Sequence, residues 1–402
     1  MFTLILHTLF LIILAYFALS VLYLFILALW GRLFYKRRAV IQSTPQKRIA
    51  IMVPAYKEDG VILSTASSLR NLNYPSELYD AYIIADSFQP ETLEQLRRLP
   101  INVIEVSFDK STKAKALNQA FARIKKTYDI ALICDADNIL AKNFMQLVNN
   151  AFVQGASVVQ GRRVAKNLDT SFSVLDACSE GINNNIFRKG TNAVGLASAV
   201  IGSGMAFEYD TIREIMSGIH DSVAEDRIVQ LELTHRRIHI LYLDNALIFD
   251  EKVDNPHAFQ QQRKRWVSSQ FIYLKQYFGE AVRQLFKGNM SYFNLAVLNN
   301  LVLPRAFLFL VLPVLFLASL PFGGTTAIAA AVVFAVYMVT MFLALPPELI
   351  NKDLGAAIMR MPRAIALMIG TLFNMKKSNK TFIHTVHTRT EVTNPLFNEQ
   401  NQ

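Results

Sequence analysis

The chain has 402 residues, 52% of them hydrophobic, with a formal net charge of +10 and a mean hydropathy of +0.27. It is long enough for a large folded core plus further elements, and too apolar for an ordinary soluble enzyme. The basic excess flanks apolar runs, which points to anionic lipid headgroups rather than nucleic acid. The two cysteines, Cys134 and Cys178, have no spacing suited to a disulfide or a zinc site, which fits a reducing compartment.

Residues 2–30 are nearly continuous in Leu, Ile, Phe and Tyr, with no Asp, Glu, Lys or Arg. That exceeds the roughly 20 residues needed to cross a bilayer. A signal peptide has a basic start, a shorter apolar run and a small-residue cleavage site. Here the positive charge follows the run, in Arg32, Lys36, Arg37 and Arg38. Residues 1–32 therefore read as a retained transmembrane anchor whose C-terminal side is cytosolic.

Between 45 and 270 the pattern alternates strand and helix. Strands are expected at 48–53, stopped by Pro54, at 82–85, ending at Asp86, at 101–106, at 130–134 and at 157–160. A helix is expected over 113–126, with Ala116, Leu117, Ala120, Phe121 and Ile124 on one face. This order predicts an α/β domain with a largely parallel sheet covered by helices. Such sheets bind ligands beyond the carboxyl ends of their strands. Pro54-Ala-Tyr56-Lys57, Asp86 and Asp135-Ala-Asp137 all fall at such ends. Two carboxylates one residue apart on a strand end suit a hard divalent cation, Mg2+ or Mn2+, that keeps waters and takes phosphate oxygens from a substrate. No Gly-x-Gly-x-x-Gly or Walker loop is present, which disfavours a dinucleotide or P-loop site.

Residues 271–292 read as an interfacial segment. Apolar spans at 295–322 and 326–345, separated by Gly323-Gly324-Thr325, read as a transmembrane hairpin within 293–346. Arg305 is expected near the cytosolic interface with its head group snorkelling, or else on a polar path through the bundle. Residues 354–374, interrupted by Pro362, suggest an amphipathic helix on the membrane surface. Residues 375–402 form a C-terminal tail. Three spans leave the central domain and this tail on the cytosolic side.

One ordered set of motifs ties these pieces together. It comprises Val53-Pro-Ala-Tyr-Lys-Glu58, Ile83-Ile-Ala-Asp86, Lys113-Ala-Lys-Ala-Leu-Asn118, Asp135-Ala-Asp137, Gly202-Ser-Gly-Met205, Glu225-Asp226 and Gln262-Arg-Lys-Arg-Trp266. The set resembles the family 2 glycosyltransferases, and within them the membrane-bound synthases of cellulose, chitin, hyaluronan and poly-N-acetylglucosamine. The resemblance covers residues 48 to 270. It implies a GT-A (Rossmann-like) fold that binds a nucleotide sugar, a UDP-sugar, with a divalent metal, and inverts the anomeric carbon.

The resemblance also implies roles. Asp135 and Asp137 divide the metal work, Asp137 as direct ligand and Asp135 nearer the nucleotide sugar. Pro54, Tyr56, Glu58 and Asp86 line the donor nucleotide. Lys113, or alternatively Lys115, meets the diphosphate at a helix N-terminus, where backbone amides favour anions. Arg265 offers a planar fork of donors to the diphosphate. Asp226, with Glu225 beside it, is the base that takes the acceptor proton. Gly204 and Met205 approach the acceptor, and Gln262 and Trp266 hold it, the indole stacking on a sugar ring. Asn138 is expected to cap the next helix.

The run Phe382-Ile-His-Thr385-Val-His387-Thr388 is similar to the gating loop of cellulose synthases, with His387 in place of lysine and Thr388 in place of glycine. Thr385 and His387 are thus expected on the diphosphate, with a solvated tail or a metal-binding His pair as alternatives. The leading expectation is a processive β-glycosyltransferase building a polysaccharide. The alternative is addition of one sugar to a lipid acceptor. A homo-oligomer or an export partner stays open, and no nucleic acid is expected.

Overall fold

A computed structural model describes residues 1–36, 43–222, 224–254, 256–351, 354–360 and 387–401, apart from the side chains of 256–259, 261–266 and 399–401. The chain divides into two units. One holds residues 37–177, 197–254 and 379–402, and the other holds 1–36, 178–196 and 255–378.

The first unit is built on an eight-stranded sheet. Its strands are β1 (Ile49–Tyr56), β2 (Tyr79–Asp86), β3 (Asn102–Val106), β4 (Ile130–Ile133), β5 (Ile139–Leu140), β6 (Val158–Ala165), β7 (Met205–Glu208) and β8 (Leu241–Asp250). Their spatial order is β3-β2-β1-β4-β7-β6-β8-β5. The first four are parallel, as expected from the alternating pattern. β7 then runs antiparallel to both β4 and β6, so the sheet is mixed rather than largely parallel. The register explains what this achieves. Met205 opens β7 opposite Ile133, the last residue of β4. β7 therefore starts at the carboxyl end of β4 and sets the Gly202-Ser203-Gly204 turn beside Asp135.

Pro54 does not stop β1, which continues to Tyr56. Cys134 N donates to Met52 O, so the even positions of this part of β1 face β4. β4 has already ended at Ile133, opposite Met52. The donor that Pro54 lacks therefore falls where no partner strand remains. β6 is also longer than expected, because Arg162 and Arg163 interrupt its apolar pattern.

The core is packed from the odd residues of β1. Ile49, Ile51 and Val53 join Ile62, Ala66, Phe144 and Val148 in one buried cluster. Each such side chain contributes about 1.5–3 kcal/mol on burial. Helix Lys113–Arg123 buries Ala116, Leu117, Ala120 and Phe121 as predicted, and ends before Ile124, which is extended. Asn143, not Asn138, occupies the N-cap position of helix Phe144–Val153.

Among the described residues three helices are long and apolar enough to cross a membrane: Phe2–Leu33, Arg305–Phe322 and Gly324–Ala344. The second begins ten residues later than the apolar run suggests. Residue 302 turns extended, and Pro304 disfavours helix for the residue before it. Arg305 opens that helix and donates from Nη2 to the Ser179 carbonyl at 3.1 Å, which holds its head group within this unit. Two glycines set the packing against the N-terminal helix. A Cβ at Gly31 would come 2.6 Å from Asn185 O, and one at Gly190 2.2 Å from Leu27 O. Only glycine allows backbones this close. Helix Pro256–Phe286 exposes Phe271, Ile272, Phe278 and Phe286. Residues 354–360 are helical, and Pro362 lies outside the described residues.

Candidate active site

The carboxyl ends of β1, β2 and β4 lie side by side, with Tyr56 opposite Asp86 and Met52 opposite Ile133. The backbone just beyond two of them is strained. Lys57 and Ser87 have φ of 54° and 60°, two of the three positive-φ residues other than glycine among those described. Such strain persists where the surroundings over-determine it, and concentrates at functional sites. Lys57 N donates to Asp86 O at 3.1 Å, which locks one strand end to the other. Ser87 Oγ donates to Asp86 Oδ1 at 2.9 Å, and Asp86 is buried.

Lys113 organises the next layer. Thr112 caps its helix by accepting from Lys115 N, which leaves Lys113 as the first helical residue. Its ammonium donates to Asp135 Oδ1 at 2.5 Å and to Gly202 O at 2.6 Å, and lies 3.9 Å from Glu225 Oε1. Burial alone would lower the pKa of Lys113, but Asp135, Glu225 and Asp226 outweigh it and hold it above the ordinary value. Lys115 points elsewhere, pairing with Asp221 at 2.7 Å. Lys113 is therefore the lysine at this crevice.

Glu225 and Asp226 open helix Glu225–His235. Burial, opposed by Lys113 and reinforced by Asp226, pushes the Glu225 carboxyl up to about 7. Asp226 is half-buried and accepts from Arg227 N through Oδ1. Gly202, at φ +82°, touches both groups: a Cβ there would sit 3.8 Å from Lys113 Nζ and 3.9 Å from Asp226 Oδ2. Ser203 Oγ accepts from Asp135 N at 2.9 Å and donates to Asn138 Oδ1, which is what Asn138 does in place of capping a helix. Gly204 packs on Ile248, and Met205 is buried at the start of β7.

A second cluster surrounds Asp137. Its Oδ2 accepts from Glu251 N at 3.0 Å, and its carbonyl accepts from Lys166 Nζ at 2.9 Å. His387 Nδ1 is 2.9 Å from Glu58 Oε1, and its neighbours Thr388 and Arg389 donate their amides to Glu251 Oε2 at 3.0 and 2.9 Å. Burial would lower His387, but Asp137, Glu58 and Glu251 raise it to about 10, so the ring is a cation at neutral pH. This part of the tail is docked, not solvated.

Among the described residues, no group of three or more His, Cys, Asp or Glu side chains is arranged to hold an ion alone. Asp135 and Asp137 instead fit an open cation site, in which one or two carboxylates act with phosphate and water oxygens. The crevice thus combines a carboxylate pair for a cation, a buried ammonium at a helix start, and two acids on another helix.

Pro54, Tyr56, Glu58, Asp86, Lys113, Asp135, Asp137, Gly204, Met205, Glu225, Asp226 and His387 all belong to this unit. The side chains of Gln262, Arg265 and Trp266, and the whole of Thr385, lie outside the described residues. Sequence reasoning missed Lys166 and Glu251, which directly follow the last residues of β6 and β8. The strand-end argument applied to Asp86 and Asp135 would have found both.

A sequence profile described as "Glycosyltransferase like family 2" matches residues 45–269. The chain belongs to that family. It is similar to the beta-monoglucosyldiacylglycerol synthase of Synechocystis sp., at 23% identity over 231 residues, covering 56% of this chain and 48% of the relative. It is also similar to the enzyme of the same name from Trichormus variabilis, at 26% identity over 230 residues, covering 54% of this chain and 48% of the relative. The chain spans about half the length of these relatives. Its fold is shared with the mannosyltransferase PcManGT from Pyrobaculum calidifontis, solved in complex with GDP-Man and Mn2+. There the TM-score is 0.51 at 15% identity, with 90% of this chain and 97% of that one covered. The GT-A fold expected from the motifs is therefore the fold of this chain.

Proposed function

We propose that this protein transfers a sugar from a nucleoside diphosphate sugar to a lipid acceptor at the cytosolic face of a cell membrane, with inversion at the anomeric carbon. The observation that carries the reading is the gathering of Asp86, Lys113, Asp135, Asp137, Glu225 and Asp226 around the carboxyl end of one sheet. Asp86 accepts hydrogen bonds from the base or ribose. Lys113 and the amides at its helix start face the diphosphate. Asp137 and Asp135 would hold a Mg2+ or Mn2+ ion, which when bound neutralises charge on the leaving diphosphate. The acceptor oxygen attacks the anomeric carbon, the bond from that carbon to the diphosphate oxygen breaks, and the acceptor proton passes to the Asp226 carboxylate. Glu225, with its raised pKa, is the reserve acid beside it. Arg265, Thr385 and His387 join the diphosphate, and Gln262 and Trp266 the acceptor.

Two observations support a lipid acceptor. The relatives are named as glycolipid synthases, and three helices are long enough to span a bilayer. In this reading residues 45–270 are the catalytic domain, 271–292 lie at the interface, and 293–346 form the hairpin. The run from Gln262 to Trp266 favours a second reading, extension of a polysaccharide held at the membrane. The full-length protein in lipid nanodiscs, given a panel of radiolabelled nucleotide sugars, separates the two. One sugar in the organic-soluble lipid fraction supports the first reading, and a high-mass polar product supports the second. No turnover of any donor with either acceptor type refutes both.

A further inference from the structure

We propose that Lys166 and the C-terminal segment 387–397 form a clasp that aims the Asp137 carboxylate, with Lys166 as its positioning residue. This rests on the reading of Asp137 as the cation ligand. Lys166 is fully buried. Its ammonium donates in two directions, to the Asp137 carbonyl at 2.9 Å and to the Arg389 carbonyl at 2.6 Å. A buried ammonium is costly, and an apolar side chain of similar volume is often neutral or stabilising in its place. Stability alone therefore gives no reason for a lysine here. Its geometry does, because one side chain ties the peptide of Asp137 to the tail.

A second, separate route joins the same two places. Glu251 donates its amide to Asp137 Oδ2 and accepts the amides of Thr388 and Arg389 with its carboxylate. The tail thus reaches the Asp137 carbonyl through Lys166 and the Asp137 carboxylate through Glu251. Holding both ends of a residue fixes the direction of its side chain.

The tail has its own attachments away from Asp137. Thr393 N donates to Lys166 O at 2.9 Å, and Asn394 Nδ2 to Ala165 O at 2.7 Å. Arg389 pairs with Asp169 at 2.6 Å, and Ser64 Oγ donates to Thr390 O at 2.7 Å. Val392, Leu396 and Phe397 pack on a buried cluster that includes Ile139, Val164 and Phe249, with the Phe249 and Phe397 rings 5.2 Å apart and edge-on. Docking of this apolar staple holds the polar part of the clasp in register with the cation site.

The test uses the full chain in detergent and two variants. Lys166→Met removes the tie, and Phe397→Ala loosens the staple without touching Asp137. Two quantities are read: hydrogen exchange over residues 387–397, and Mn2+ affinity in the presence of a nucleoside diphosphate, followed by the electron paramagnetic resonance of free Mn2+. Both variants should exchange faster at Thr388, Arg389 and Thr393. Both should bind Mn2+ about 10-fold or more weakly, as for partners that orient a metal ligand. In turnover, the loss should appear in the KM for Mn2+ more than in kcat at saturating metal. Faster exchange with unchanged Mn2+ affinity in both variants overturns the proposal, leaving the tail a purely structural strap. Asp137→Asn is the control. If it binds Mn2+ as the parent does, the cation-site reading itself fails and takes the clasp with it.

Discussion

Replacing Lys113 with methionine keeps most of the length of the side chain and removes its charge. Two hydrogen bonds are lost, to Asp135 Oδ1 and to the Gly202 carbonyl, together with the ion pair to Glu225. Hydrogen bonds to charged groups contribute about 1.5–3 kcal/mol each, and removing one partner of a buried pair costs roughly 3–5 kcal/mol. The Asp135 side chain is 35% exposed and can be partly rehydrated, which favours the lower end, about 3 kcal/mol. Each kcal/mol shifts Tm by about 2–4 °C in a domain of this size, so a fall of roughly 6–12 °C is expected. The loss should depend on pH. At about pH 8 Glu225 is ionised and loses its counter-charge, whereas at about pH 5.5 it is protonated in the parent and needs none. Thermal unfolding in detergent at both pH values measures this. A double-mutant cycle with Asp135→Asn should show a coupling of at least about 1 kcal/mol. A shift below about 2 °C at the higher pH, or equal losses at both, would refute the pairing.

Asp226→Asn should cut transfer by about 10²–10⁴-fold while nucleoside diphosphate binding survives, as measured by rate and by calorimetry; near-normal transfer would move the base to Glu225. The Glu225 carboxyl is raised from 4.5 to about 7, so its contribution to stability is present below the unfolded value and is lost as pH rises through about 7. Glu225→Gln should flatten that slope in a pH series of unfolding midpoints, and an unchanged slope would assign it to another group. A cysteine replacing Thr325 should react with an impermeant thiol reagent from outside intact cells; labelling only after lysis would mean the hairpin turn faces the cytosol.

The parallel half of the sheet was legible because its strands are largely apolar and two of them end in Asp86 and in Asp135-Ala-Asp137. Asp86, Asp135 and Asp137 followed from that pattern, whereas Lys113, left open against Lys115, and the acids that open helix Glu225–His235 came only with the resemblance of the ordered motifs. The antiparallel half was not. β7 is four residues long and is reached through a helical excursion over 171–193, so no local period announces its direction. The start of the second membrane helix was misread because the largely apolar run from Leu295 to Val302, broken by Asn299 and Asn300, leads into the span, and the chain turns extended at Val302 before Pro304.

The register also explains how one crevice gathers the residues proposed for two substrates. β6 runs antiparallel to β7 and β7 antiparallel to β4, so β6 points the same way as β4, and β8 is parallel to β6. Six strands, β1, β2, β3, β4, β6 and β8, therefore end on the same side. They deliver Glu58 after β1, Asp86 at the end of β2, Asp135 and Asp137 after β4, Lys166 after β6 and Glu251 after β8. β5 and β7 run the other way, and β7 brings its beginning, the Gly202–Gly204 turn, to that side. The elements of the parallel half carry the residues proposed for the donor. The turn before β7 and helix Glu225–His235 carry those proposed for the acceptor and its proton. Lys113 spans the division, bonded to Asp135 on one side and to Gly202 on the other. A substitution there should therefore disturb both substrates, whereas Asp86 and Asp226 should each disturb one.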